Sequence, residues 1–481
     1  TFTLRTDVTW ADGHPLTAAD SIYAFQLVKG LDTALPPHAQ LLRDRTLAYE
    51  AIDEHTIVWR SVPGYQDTFY FYSFPLQNSY VQNFYSPLPQ HVMQLTDGER
   101  LLDSEQIHRQ PLGWGPFVIE RWEAGQSITL VRNPHYYRSG EGLPYLDRVT
   151  FRFVAGLQQA LAMVETGQCD VITQDVIESG QDNQLQEAID AGKMHLIQSS
   201  SGEWEHLGFG IESTNTSHPD FFTDVRVRQA IAHCIDRQRI VENASPYGQG
   251  AVAHSYIASE HPLYAEGDLL TWAYRPADGK ALLAEVGWED EDGDGMREAH
   301  GVTGVAWNTP FSITLLTTNY DAARQQTANI IAQDLAACGI NLTVKLLPAK
   351  DFIADGPDGP VLGRQFDLAL YSWHNSLYAP CELFLSSQIP GPENWWASPN
   401  TSGYASPDYD AACHTALAAL SSSQAHARAH REAQVIFSHD LPVLPLYFVP
   451  KTIAARPGVS GLMPDPSEYL TWHIETVDIV P

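Results

Sequence analysis

Positive charge is scarce in this chain. It has 28 Lys and Arg against 58 Asp and Glu, a formal net charge of −30 over 481 residues. That balance argues against nucleic acid and against an anionic membrane surface as partners. No apolar run is long enough to span a bilayer. Cysteine is sparse too: five residues (Cys169, Cys234, Cys338, Cys381, Cys413) with no Cys-x-x-Cys pair. Cys234 and Cys338 fall on apolar helix faces, where buried free thiols are expected. The P-loop, the dinucleotide glycine fingerprint, the Gly-x-Ser-x-Gly elbow and His-Glu-x-x-His are all absent, which weighs against several common enzyme classes. No secretory leader is visible. The chain opens directly on a strand pattern, Thr1-Phe2-Thr3-Leu4-Arg5, which we read as a start inside a larger protein.

What is present describes a globular protein of two or three domains, with 44% hydrophobic and 18% charged residues. Thr17-Ala18-Ala19-Asp20 is a capping-box variant ahead of a helical face of Ile22, Phe25 and Val28. Residues 46–60 read as a hairpin turning at Asp53-Glu54. Residues 63–91 are crowded with aromatics (Tyr65, Phe69, Tyr70, Phe71, Tyr72, Tyr80), which suits packing or a binding surface. A second hairpin, Phe117 to Trp122 and Ser127 to Arg132, follows the breaker Gly113-Trp114-Gly115-Pro116. Later the pattern alternates between strand and helix. Residues 311–317 read as a strand, 321–338 as a helix closed by Gly339, and 340–346 as a strand of strict alternation. That succession predicts a parallel crossover. The nearly all-apolar run from Phe366 to Tyr371 predicts a strand covered on both faces. Residues 409–437 read as one closing helix.

That last strand runs into Trp373, His374, Asn375, Ser376 and Tyr378, and then Trp395-Trp396. Ligands of open α/β sheets lie beyond the carboxyl ends of the strands. Flat indole faces beside neutral hydrogen-bonding groups suit uncharged polar ligands, or peptide and aromatic groups. Ordinary core filling is the alternative for each Trp. Trp204, on a crossing segment at 199–211, is expected at the same cleft.

Three further patterns carry chemistry in outline. Asp290-Glu291-Asp292-Gly293-Asp294-Gly295 has alternating acidic oxygens like the start of a calcium loop. Position twelve, however, is Gly301 where a bidentate Glu is needed, so a solvated acidic turn is expected. His426 and His430 share a helical face, but two His do not make a metal site. Glu203, Glu205 and Glu382 lie near Trp residues as acid/base candidates; no spacing defines a pair, so hydrogen-bonding or surface roles are expected.

Several ordered stretches together resemble one family, the family 5 extracellular solute-binding proteins. They are Thr1 to Lys29 with its Asp12-Gly13 turn, Gly113 to Tyr137 (GWGPFVIERWEAGQSITLVRNPHYY), Asp224 to Ile240 (DVRVRQAIAHCIDRQRI), Lys280 to Glu298, and Asp408 to Tyr447. The resemblance implies an α/β, periplasmic-binding-protein-like fold with two lobes, a hinge and an extra domain (cluster C type), its N-terminal portion missing here. It implies residues 1–110 as the extra domain with a remnant of lobe I, 111–205 as lobe I, 206–447 as lobe II, and 448–481 as a return to lobe I. The implied function is a non-enzymatic, extracytoplasmic receptor, in the periplasm or at the cell surface. It would capture a peptide-like or oligosaccharide-like ligand and hand it to ABC permease subunits. No cofactor, metal or catalytic residue is expected. A monomer is expected, with membrane association only through a lipid anchor outside this chain. Peptide-binding members carry an Asp three positions after the strand-end Trp, for the ligand's α-amino group; Ser376 stands there. Some carry an Arg three positions before it; Leu370 stands there. These departures shift the expectation toward uncharged ligands, with Trp373, Asn375, Ser376, Tyr378, Trp395, Trp396 and Trp204 facing the ligand. A glycan-active hydrolase and a sensor without transport are the rival readings.

Overall fold

The computed structural model describes residues 1–29, 43, 46–63, 86–94, 105–177, 183–216, 219–244, 250–375, 379–421, 423–465 and 469–480. Most of the aromatic region at 63–91, with Ser376 and Tyr378, lies outside the described residues. The chain divides into two compact units. The first comprises Thr1–Val176, Gln184–Ile197 and Ile453–Pro481; the second comprises Ile177–Asn183 and Gln198–Thr452.

The first unit is built from small antiparallel pairings. The predicted hairpin is present as Thr46–Ala51 and Thr56–Ser61, with Phe2–Thr3 added along its second strand. Helix Ala18–Lys29 buries Ala24 and Phe25 against Tyr49 and Ile57. The predicted capping contact exists: the Thr17 N–H donates to Asp20 Oδ2 at 3.0 Å, satisfying a helix-end donor that would otherwise lack a partner. Phe117–Glu123, Ser127–Arg132 and Arg148–Arg152 form an antiparallel meander. Val171–Thr173 pairs with Ile453–Ala455 on the returning chain.

The second unit holds a five-stranded sheet: β1 (Glu203–Phe209), β2 (Ser312–Thr318), β3 (Asn341–Leu347), β4 (Leu368–His374) and β5 (Val443–Phe448), in the order β3-β2-β4-β1-β5. Strands β2, β3 and β4 are parallel. Helix α2 (Ala322–Ala337) makes the predicted crossover between β2 and β3, and Asp321 caps it by accepting from the Arg324 N–H. The sheet is nevertheless mixed. The segment read only as a crossing is β1, which lies between β4 and β5 and runs antiparallel to both. Strand pairing between segments this remote leaves no local periodicity to read.

Two further expectations are corrected. Cys234, the last residue of helix α1 (Val225–Cys234), is bonded to Cys338 at the end of α2, and Cys381 is bonded to Cys413. Both apolar helix faces were read correctly, but the packing that brings their ends together is tertiary. Cys169 is the free thiol. The closing helix is two helices, α3 (Pro407–Ala418) and α4 (Gln424–Asp440). The break is chemical: the Ser423 hydroxyl accepts from the His426 N–H at 3.2 Å and starts α4 afresh.

Candidate functional site

Alternation along β4 decides how its carboxyl end is built. Side chains of successive strand residues point to opposite faces. Tyr371 and Trp373 therefore share one face, and Ser372 and His374 share the other. The register against β1 places Trp373 opposite Trp204, Tyr371 opposite His206, Ser372 opposite Glu205 and His374 opposite Glu203. The aromatics and polar groups that are adjacent in sequence thus make two surfaces, not one wall.

On the aromatic face the rings run in a chain. Trp373 meets Tyr371 edge-on at 5.9 Å between centroids, Tyr371 meets His206 at 4.3 Å, and His206 meets Trp204 at 4.8 Å. The Tyr371 hydroxyl bonds Thr401 Oγ1 at 2.6 Å. Burial pushes its phenol up to about 12. Trp204 is 0% exposed, and its Nε1–H donates to Asn375 Oδ1 at 3.1 Å. Asn375 is buried as well, and its amide donates in turn to the Tyr256 carbonyl. The Asn375 N–H donates to the Gly202 carbonyl at 2.8 Å. Gly202 must lack a side chain here, because a Cβ would stand 2.2 Å from the Asn375 carbonyl oxygen. Trp204 and Asn375 therefore brace the end of the sheet from behind, while Trp373 remains half-buried at its edge.

Trp395 and Trp396 follow the short turn Pro392–Asn394, with φ of 57° and 58°. Left-handed backbone at two successive non-glycine residues is strained. Trp396 lies on Gly356, where a Cβ would be 2.6 Å from the indole. Trp395 projects outward and is 88% exposed.

The polar face holds a network that sequence spacing did not reveal. The Arg324 guanidinium on α2 donates to both oxygens of Glu205, at 2.6 and 3.0 Å, and to Thr318 Oγ1 at 3.1 Å. Arg324 also donates to Ser372 Oγ at 3.3 Å, and Ser372 donates to Glu203 Oε1 at 2.8 Å. Both members of the Arg324–Glu205 pair are buried. Burial pushes the Glu205 carboxyl up and Arg324 opposes that shift, while Glu205 holds Arg324 charged. Burial lowers the His374 pKa, with Glu203 acting the other way. The sequence signal for this network was alternation alone: Glu203 and Glu205 on one strand, Ser372 and His374 on its neighbour.

The model for bacterial extracellular solute-binding proteins, family 5 Middle, matches residues 1–394. The chain belongs to that family. Among curated relatives, the oligopeptide-binding protein AppA of Bacillus subtilis is 24% identical over 396 residues, covering 80% of this chain and 65% of AppA. The peptide transport periplasmic protein SapA of Salmonella typhimurium is 25% identical over 364 residues, covering 75% and 59%. The chain spans 65%, 60% and 59% of the length of three such relatives, less than two thirds in each case. Among solved structures, NikA from Brucella suis in complex with Fe(III)-EDTA superposes with a TM-score of 0.77 at 21% identity, covering 100% of this chain and 88% of that one. B. subtilis AppA in complex with a nonapeptide superposes at 0.71 and 22% identity, covering 100% and 86%. The fold of this family 5 chain is thus periplasmic-binding-protein-like, as its sequence implied.

The remaining chemical candidates in this family 5 chain have local explanations. Asp290, Asp292 and Asp294 bring carboxylate oxygens within 4.8 Å of one another on an exposed turn. Those oxygens accept from the backbone N–H groups of Gly293, Gly295, Asp294 and Met296, as in a self-capped acidic turn. His426 and His430 stack edge-on at 4.4 Å, and His426 Nδ1 bonds the Ala416 carbonyl at 2.9 Å, so the pair fills the space between α3 and α4. Glu382 lies on the short helical turn Cys381–Phe384, beside the second disulfide.

Proposed function

We propose that this chain is the solute-capturing part of an extracytoplasmic, non-enzymatic receptor that delivers a peptide-like ligand to an ABC permease. The observation that carries the proposal is the half-buried Trp373 at the carboxyl end of β4, beside the polar edge of Glu203, in a chain of the family 5 fold. That end of an α/β sheet is where ligands lie. The printed names of AppA and SapA favour peptide cargo over an oligosaccharide. Two disulfides in the second unit suit an oxidising compartment outside the cytoplasm. Capture is a population shift, in which the solute favours the closed state because it makes more contacts there. The ligand-facing residues in this proposal are Trp373 first, then Trp395 and Trp396, with Ser376 and Tyr378, which lie outside the described residues, carried as sequence candidates. The glycan hydrolase reading is weakened by Glu205, whose oxygens are both held by Arg324.

A thermal-shift screen against oligopeptides, oligosaccharides and metal chelates tests the proposal. A ligand at one hundred times its Kd adds about 2.7 kcal/mol to stability. Oligopeptides are expected to raise the melting temperature; a shift with oligosaccharides alone, or with nothing, rejects peptide cargo.

A further inference from the structure

The aromatic face of the same strand end carries apolar surface that the fold leaves uncovered. Its ring chain extends one step beyond Tyr371. Phe352, buried on the short helical turn Ala349–Phe352 after β3, meets Tyr371 edge-on at 5.9 Å between centroids. Phe352, Tyr371 and Trp373 thus form a continuous aromatic layer. The next residue, Ile353, leaves that layer and is 61% exposed. Three residues on, Gly356 receives the Trp396 indole, which ties the Trp395 turn to the same segment.

That turn is built to hold Trp395 outward. The Gly391 N–H donates to Asn394 Oδ1 at 2.9 Å, the Asn394 amide donates to the Ile389 carbonyl at 2.7 Å, and the Trp396 N–H donates to the Gly391 carbonyl at 2.9 Å. These bonds fix two left-handed non-glycine residues, a conformation that costs stability, and the indole they present at Trp395 is left in solvent. Trp307, another strongly exposed indole of this unit, rests by contrast on the His300 ring at 4.6 Å. Asp351, Asp355 and Glu393 are exposed and close in the chain to Ile353 and Trp395. The patch therefore has an apolar centre and a charged rim, as recognition surfaces have.

We infer that this patch is a subsite for one bulky apolar side chain of the cargo, with Trp373 at its floor and Ile353 and Trp395 as the residues that set its specificity. The inference rests on the receptor role proposed above. An extended peptide at the end of β4 turns alternate side chains to opposite sides. One side meets Arg324, Glu205 and Glu203, where an apolar group would strip water from charges without replacing its hydrogen bonds. The other meets the aromatic layer, where the same group leaves water for an apolar surface. Ile353 carried no sequence signal, because its place depends on how the segment after β3 folds back on Tyr371.

The test is calorimetric titration of the intact protein with pentaalanine and with its five single-Phe variants. The best of the five is expected to bind roughly tenfold or more tightly than pentaalanine, the scale of burying one Phe side chain, with a more negative heat-capacity change. Trp395→Asn removes the indole and tolerates the left-handed backbone; combined with Ile353→Ser, it should bring the ratio of the two affinities close to one. Both positions are exposed, so the double variant should melt near the wild-type temperature. Trp307→Ser, at an exposed indole outside the patch, should leave the ratio intact. A wild type that binds every Phe peptide no more tightly than pentaalanine, or a full preference surviving in the double variant, overturns the inference and leaves the receptor role standing. Binding of none of the six peptides overturns both this inference and peptide cargo.

Discussion

Trp204 and Trp373 face each other across two strands yet serve different ends. The first is sealed into the core with its N–H satisfied by Asn375, and the second keeps part of its ring at the edge. Asn375→Ala would leave the Trp204 N–H buried without an acceptor, at a cost of about 1–3 kcal/mol; urea unfolding measures it, and an unchanged midpoint would remove Asn375 from the bracing role. Arg324→Met should cost more, about 3–5 kcal/mol, because Glu205 would be left as a lone buried charge. Replacing both, as Arg324→Met with Glu205→Leu, should recover much of that loss. Burial also depresses two histidines, His206 and His430, to about 3 from an ordinary value of 6.5. Both ring nitrogens of each have no hydrogen-bond partner among the described residues. The unfolded chain therefore binds more protons than the folded one between those values. The contribution of these histidines is complete above pH 6.5 and falls as pH drops toward 3. His430→Leu should flatten stability against pH in that window, as chemical denaturation at stepped pH would reveal. At this scale the sequence disclosed which residue types gather at the strand end. It could not disclose which of two Trp rings is sealed in, since that depends on a strand more than 150 residues away in the chain.

At the scale of elements, the second unit is held by devices of different legibility. The β2–α2–β3 crossover was readable because its alternation, helical stripe and closing Gly339 all agree locally. The antiparallel β1, between β4 and the edge strand β5, was not, because both pairing partners lie far along the chain. Gly202 marks the junction where β1 meets the segment after β4. Gly202→Ala should force the Asn375 carbonyl away, lowering stability and weakening ligand binding together. A variant that keeps both would show that the junction can yield freely. The disulfides close stretches of 104 and 32 residues. By the chain-entropy argument each adds on the order of 3–5 kcal/mol. Melting with and without reductant should show the second unit losing stability on reduction, with proteolysis then favouring residues 198–452.

For the molecule as a whole, family membership was legible because its signals were many and ordered, each weak alone. They lay on turns, caps and helix faces, which local chemistry governs. Ligand chemistry was less legible, because it depends on which face of a strand each residue occupies and on what the adjacent strand brings. The strong negative charge, the absence among the described residues of any helix long and apolar enough to cross a membrane, and the two disulfides are each compatible with the receptor role. The most direct test of that role is calorimetric titration with the oligopeptide that most raises the melting temperature, run on the wild type and on Trp373→Ala. The account expects saturable one-site binding to the wild type. The variant should melt at nearly the same temperature and bind about 1–2 kcal/mol more weakly, on the order of tenfold. Equal affinity in the two proteins would contradict the placement of the ligand at the carboxyl end of β4.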